Sequence, residues 1–327
     1  MRQEPLSKEA HLAVMLPEEE IKKMRTLIVA ALMGLFLPQS LMARTWYVRC
    51  DGGGDAPTIQ AAIDSTSAGD TILVGTGIHE VTGKIICYDK DELTFIGEGI
   101  EGAAAINGPG IFIIEWSAYI AVRNLTFSNC SLSLYWTSSS IVEGNHFLGS
   151  SILVECGGPL EICSNLLYSS GAAISCGDYP VATRIHHNVI AFNIDGPGIV
   201  LDAGQYNIFN NIIAFNRRGI YSISTAVYLD CNNVWGNQEF NYRLTFFPDP
   251  TGTNGNISAD PQFCGVNPDI SGNFYLQSDS PCAPGNHPDG FDCGIIGKYS
   301  VGCGSVSAMR SSWGEIKGLF REERRRR

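Results

Sequence analysis

Through the middle of the chain, short apolar runs alternate with polar positions in a two-residue rhythm, and an asparagine breaks them at regular intervals. These asparagines are Asn124, Asn145, Asn165, Asn188, Asn211 and Asn233, spaced by 20 to 23 residues. The best preserved copies read IHHNVIAFN (185–193), IFNNIIAFN (208–216) and LDCNNVWGN (229–237). No helical period lies between copies, so a repeat of about 22 residues predicts a stacked all-β solenoid.

A second ladder precedes each asparagine by about 14 residues: GIFIIEW (110–116), SLSLYWT (131–137), SILVECG (151–157), GAAISCG (171–177), GIVLDAG (198–204) and GIYSIST (219–225). Each copy opens on a small residue that tolerates a corner and then alternates, so one side faces a core. Two further short runs flank the asparagine, which gives three short strands per coil. One coil cannot bury its apolar face alone, whereas stacking strands about 4.8 Å apart builds a continuous core. A side-chain amide is both donor and acceptor, so the six asparagines are expected to bond one another from coil to coil.

These repeats resemble the right-handed parallel β-helix repeat family, the pectin lyase-like fold of pectate lyases, polygalacturonases and pectin methylesterases. The resemblance covers roughly residues 46–303. It implies a single-stranded right-handed parallel β-helix and a glycan-related setting, without fixing a reaction. The stretch DAPTIQAAIDSTSAGDTILVGTGIHE (55–80) resembles the family's N-terminal cap, where Thr58 caps a short helix carrying Ile59, Ala62 and Ile63 on one face. The Gln, Asp and Arg motifs that a methylesterase needs next are missing from the sequence. The turn-rich segment 238–303 reads as a loop-rich C-terminal cap, its final run resembling the family's closing strand.

The flanks read differently. Lys22, Lys23 and Arg25 precede the apolar run LIVAALMGLFL (27–37), and Ala43 follows a short polar stretch. That is the layout of a secretory signal over 23–43 within a leader of 1–43, with Met24 as the expected start. An exported protein follows, in the periplasm or at the cell surface, with no transmembrane span after cleavage. The domain proper is 44–303. Residues 304–327 form a Ser-rich linker and an amphipathic basic tail in which Trp313, Ile316, Leu319 and Phe320 share a stripe.

The chain's net charge is −11 and the body alone carries −15, since the leader is balanced and the tail is basic by 4. Nucleic acid is therefore excluded as a partner, and an anionic polyuronate is disfavoured unless cations reverse the local sign. Eleven cysteines in an exported chain favour disulfides. Cys264, Cys282, Cys293 and Cys303 share the C-terminal cap with three pairings open, and no CxxC marks a zinc site. Cys156 and Cys176 occupy equivalent places in neighbouring copies, either as a disulfide or as stacked thiols.

In the family the groove runs along the first strand of each coil. Aligning the copies gives an outward column of Ile114, Tyr135, Glu155, Ser175, Asp202 and Ile223 beside one of Phe112, Ser133, Leu153, Ala173, Val200 and Tyr221. The loops NIDGPG and NRRG should bring Asp195, Asp202, Arg217, Arg218 and Tyr221 together, with Tyr135 and Glu155 further along. Aromatic faces stack on sugar rings and charged groups fork onto hydroxyls. Asp195 and Asp202 could also serve as a hydrolase's acid and base, or hold Ca²⁺ beside an Arg base as in lyases of this fold. His186, His187 and His146 read as structural. Two functions therefore stand: a monomeric carbohydrate-associated binding or surface protein without catalysis, or a polysaccharide lyase or glycoside hydrolase.

Overall fold

The computed structural model describes residues 22–23, 43–177, 181–267 and 271–303. The tail beyond 303, and the export signal apart from Lys23 and Ala43, lie outside the described residues. Three parallel sheets of nine, eight and eight strands run the length of the body. Sheet A starts at Thr45–Val48 and ends at Ala226–Asp230, sheet B runs from Gly77–Glu80 to Asn233–Trp235, and sheet C from Lys84–Tyr88 to Phe240–Leu244. The chain visits A, B and C in turn, so each circuit is one coil of a parallel β-helix with three short strands. All six copies of the second ladder are sheet C strands.

The amide ladder is real but shifted at both ends. Asn145, Asn165, Asn188, Asn211, Asn232 and Asn256 are fully buried between sheets A and B. Each Oδ1 accepts the backbone N–H of the equivalent residue one coil earlier, from Leu125 N to Asn145 at 3.0 Å through Asn232 N to Asn256 at 3.1 Å. Each Nδ2 donates to a carbonyl of the sheet A strand before it, as in Asn188 to Ile162 O at 2.9 Å. Asn124 is not a rung: it occupies the preceding bend at φ 52° and leaves the rung's place to Leu125. Asn233 follows the true rung Asn232 and donates outward to Ala259 O at 2.8 Å. A second ladder, Asn193, Asn216 and Asn237, was present as the last letter of the three quoted copies; Asn193 Nδ2 donates to Asn216 Oδ1 at 2.8 Å and Asn216 Nδ2 to Asn237 at 3.0 Å.

At the N-terminal end helix α1 (Ile59–Ser65) closes the coil stack, with Thr58 accepting from Ala61 N at 3.1 Å and Ile59, Ala62 and Ile63 buried. At the other end residues 254–257 of the C-terminal cap stack on the last coil, with Cys231 N–H donating to Asn254 O at 2.9 Å and Asn256 as the final rung, and the rest of the cap folds back across sheet B. Ile257, Phe263, Phe274, Leu276, Ile296 and Tyr299 bury Leu148, Leu166, Tyr168, Val189 and Ile212 in a second core outside the barrel. This explains why strands such as Leu166–Tyr168 and Ile212–Ala214 are apolar at every position: both faces are covered.

Two disulfides fasten this segment. Cys264 bonds Cys303 within it, and Cys293 reaches Cys231 on the helix body, with Cα atoms 5.2 and 5.6 Å apart. Cys282 is a buried thiol instead, contacted by Asn233 Nδ2 at 3.0 Å. Cys156 and Cys176 do not pair, because Cys176 stands opposite Val154 facing the core while Cys156 turns the bend at φ 46°. Chain entropy assigns about 4 kcal/mol to closing the Cys231–Cys293 loop. Cys231→Ser is expected to lower the denaturation midpoint accordingly; a change under about 1 kcal/mol would show that the segment docks without this tether.

Candidate functional site

Sheet C presents its outer face as two columns, and strand register decides their members. Phe112 and Ile114 point into the core, because the first copy is aligned one residue later than its sequence suggested. A one-residue shift exchanges the faces of a strand. The outward column is therefore Tyr88, Glu115, Tyr135, Glu155 and Gly177, followed by Asp202, whose N–H bonds Cys176 O at 2.8 Å. Beside it run Ile113, Ser133, Leu153, Ser175, Val200, Tyr221 and Arg243.

The structure splits the predicted residue group. Asp195 lies before the strand Pro197–Leu201 and Asp202 after it, so roughly 16 Å of extended backbone separates them. Paired glycosidase carboxylates stand ~5–10 Å apart, so this pair is not an acid and base. Arg217 and Arg218 lie at the entry end with Asp195: Arg217 N bonds Asn193 O at 3.0 Å, and Arg218 opposes Pro197. Both guanidinium groups are held by Glu239, at 2.7 and 2.5 Å, which sequence inspection missed. Hydrogen bonds from Arg218 and then Arg217 hold Glu239 at about 2. Tyr221 is mid-strand, and Tyr135 and Glu155 share the exit end with Asp202.

The exit end carries a feature that the sequence showed without its significance being evident. Trp116 and Trp136, at the same place in adjacent copies, stack at 5.1 Å between centroids with 9° between planes. They stay 52% and 53% exposed. Both hold φ near +50°, as Cys156 does at the same place in the next coil, because this position turns the bend at the end of these sheet C strands. They adjoin Glu115 and Tyr135, and Tyr88 extends the aromatic surface one coil further at 56% exposure. Gly177 leaves a gap in the column: a Cβ there would sit 3.8 Å from Glu155 Cγ and 3.7 Å from Asp202 Oδ2.

A second concentration of polar groups lies where sheet A turns into sheet B. Glu101 accepts from His146 Nε2 at 2.5 Å and is ion-paired with Lys298, while His146 Nε2 also meets Tyr299 OH at 3.0 Å. Burial would raise the Glu101 carboxyl, but His146 and Lys298 overcome it and hold it at about 2. Burial drives His146 down against the pull of Glu101. One strand on, Glu161 Oε1 meets His186 Nε2 at 2.7 Å, and His186 Nδ1 faces His187 Nδ1 at 2.9 Å.

A parallel β-helix with an aromatic and acidic outer face is the class of protein that this architecture defines. The family model of the periplasmic copper-binding protein NosD matches residues 51–263, and the chain belongs to that family. Among solved structures, the pectate lyase Pel9A is 12% identical over 79% of this chain and 96% of its own, with a TM-score of 0.35. The pectin methylesterase from Aspergillus niger is 13% identical over 82% and 94%, at 0.31, and the alginate lyase AlyF-OU02 in complex with G6 is 12% identical over 60% and 59%, at 0.28. Superpositions this loose carry no argument about chemistry, and the fold rests on the strand register itself. No curated protein matches the chain.

Copper favours thioether, thiolate and imidazole donors. All six methionines fall outside the described residues, at positions 1, 15, 24, 33, 42 and 309. Burial pushes the Cys87 and Cys130 thiols up to about 11 and those of Cys163, Cys176 and Cys282 to about 12, so these stand as neutral thiols. His79 and His287 are taken by the carbonyls of Gly75 and Gly255, both at 2.9 Å. His186 and His187 face each other through Nδ1, and His186 Nε2 is engaged by Glu161. Among the described residues no group of three or more His, Cys, Asp or Glu converges.

Proposed function

We propose that this NosD-family chain is an extracytoplasmic carbohydrate-binding protein that holds a glycan lengthwise along the exit edge of sheet C. The exposed Trp116–Trp136 stack in line with Tyr88, Glu115, Tyr135 and Glu155 is the observation that carries this reading. Successive coils rise by about 4.8 Å, close to the length of one sugar ring, so each coil can offer one contact per sugar. Aromatic rings stack on apolar sugar faces while carboxylates accept from hydroxyls. The acidic column favours a neutral glycan over a polyuronate. Two disulfides and a family described as periplasmic support a location outside the cytoplasm.

A second reading is favoured by Gly177. Glu155 and Asp202 flank it two coils apart, about 10 Å between backbone positions, near the upper limit for an inverting glycoside hydrolase. Incubation with neutral and uronic-acid glycans, with and without Ca²⁺, reading retained ligand, unsaturated products and new reducing ends, separates the two. Binding without turnover is the expected outcome. Turnover abolished by Glu155→Gln would replace it with the hydrolase reading.

A further inference from the structure

The outward column at the exit edge of sheet C has a period of its own along the helix axis. Tyr88, Glu115, Tyr135, Glu155 and Gly177 follow one another by strand register. Asp202 and Ile223 continue the column, their N–H groups donating to Cys176 O at 2.8 Å and Leu201 O at 3.0 Å in the coil before. Carboxylates therefore fall on every second coil, and uncharged residues fill the places between them. Glu115 to Glu155 and Glu155 to Asp202 are each two coils, about 9.6 Å. All three carboxylates are at least partly exposed. Among the described residues none of the three is ion-paired, whereas Glu143, Glu161 and Glu239 elsewhere on the body hold Arg123, Arg184 and Arg217. The column is thus a row of evenly spaced, uncompensated negative charges. Tyr88, Trp116 and Tyr135 stand beside it, and aromatic faces attract an ammonium.

We infer that the glycan held on this edge is a β-1,4-linked chain of amino sugars, whose ammonium groups meet Glu115, Glu155 and Asp202 in turn. The inference rests on the glycan reading above and names the sugar. Successive sugars of a β-1,4-linked chain are related by about half a turn, so a substituent returns to the same edge every second sugar, about 10 Å along, against about 9.6 Å for two coils. The charge period of such a chain and that of the column therefore coincide over the three carboxylates. A neutral chain leaves the three charges uncompensated, and a polyuronate is repelled by them. Each ammonium donates to a carboxylate, a charge-assisted bond stronger than one from a hydroxyl. The intervening sugars, whose ammonium groups point to the opposite edge, lie against Tyr135 and in the open place left by Gly177.

The test is calorimetric titration of the full chain with the hexamer of β-1,4-linked glucosamine, its N-acetylated counterpart and the unsubstituted β-1,4 glucan hexamer, with hexalysine as comparator. An exposed ion pair is worth about 2- to 5-fold in affinity, so three should favour the glucosamine hexamer over both neutral hexamers by at least about 10-fold. Raising the pH until its amines are neutral should erase the preference, and added salt should shrink it. Glu115→Gln and Glu155→Gln should each lower the preference by about 2- to 5-fold and leave the unsubstituted hexamer bound as before, because an amide still accepts from hydroxyls. Glu161→Gln, on sheet A, should change nothing. Thermal melting of each variant establishes that the fold persists. Equal affinity for the three sugars, still lost in Trp116→Ala/Trp136→Ala, would overturn the amino-sugar assignment while keeping a glycan site. Hexalysine binding as tightly as the glucosamine hexamer would reduce the column to a general cation surface. Failure of all three sugars to bind would remove the glycan reading itself.

Discussion

Asn188→Ala is expected to destabilise the body by about 3–5 kcal/mol, among the largest single-residue effects in the chain. The amide serves two coils at once. Its Oδ1 accepts Asn165 N at 2.9 Å, and its Nδ2 donates to Ile162 O at 2.9 Å and to Asn211 Oδ1 at 3.0 Å. Truncation takes this partner from Asn165 N and Ile162 O, both in the preceding coil, each loss costing about 1–3 kcal/mol, and removes one of the two donors to Asn211 Oδ1. Stability in a solenoid is a chain of nearest-neighbour interfaces, so a weakened rung also lets the two halves melt apart. A broadened thermal transition should accompany the lower midpoint. Asn124→Gly, which removes an asparagine from the bend and keeps its positive φ, should cost less than half as much. Equal losses would mean that the rungs are merely filling space.

Glu101→Ala should cost a similar 3–5 kcal/mol, because it strands the Lys298 ammonium in a buried site beside His146 and Tyr299. Its signature is the pH dependence. The folded carboxyl lies at about 2 against an ordinary ~4.3, so it contributes stability above the unfolded value, of about 3 kcal/mol. That contribution is lost as pH falls from about 5 toward 2. His146 acts in the same direction: its folded value lies below its ordinary ~6.5, so the unfolded chain takes up a proton first as pH drops. Denaturation midpoints measured from pH 7 to pH 2.5 should fall steeply for the wild type and more shallowly for Glu101→Ala. Parallel curves would remove this cluster from any account of acid sensitivity.

The coil, its three strands and the polar rungs were legible because they repeat: a period survives local errors. Even so, the rungs were misassigned at both ends, where Asn124 sits at the bend and Asn233 follows Asn232 in a double asparagine. The groove was less legible because it depends on register. One residue of misalignment in 110–116 sent Phe112 and Ile114 to the wrong face and hid Glu115. Asp195 and Asp202 are close in sequence, yet an extended strand carries them apart. Glu239, which holds Arg217 and Arg218, comes from the next coil, so sequence proximity gave no sign of it. The Trp pair had a readable signal, the same residue at the same place in adjacent copies, as did the continuously apolar strands that the C-terminal segment covers.

The central claim is that the exit edge of sheet C receives a sugar chain. Calorimetric titration of the wild type and of Trp116→Ala/Trp136→Ala with the neutral oligosaccharide retained best in the glycan screen tests it most directly. Each contact between a ring and a sugar face is taken as about 1 kcal/mol, so the double variant should bind at least ~10-fold more weakly with its melting midpoint kept. Undiminished affinity in a folded double variant would place the ligand elsewhere on the protein.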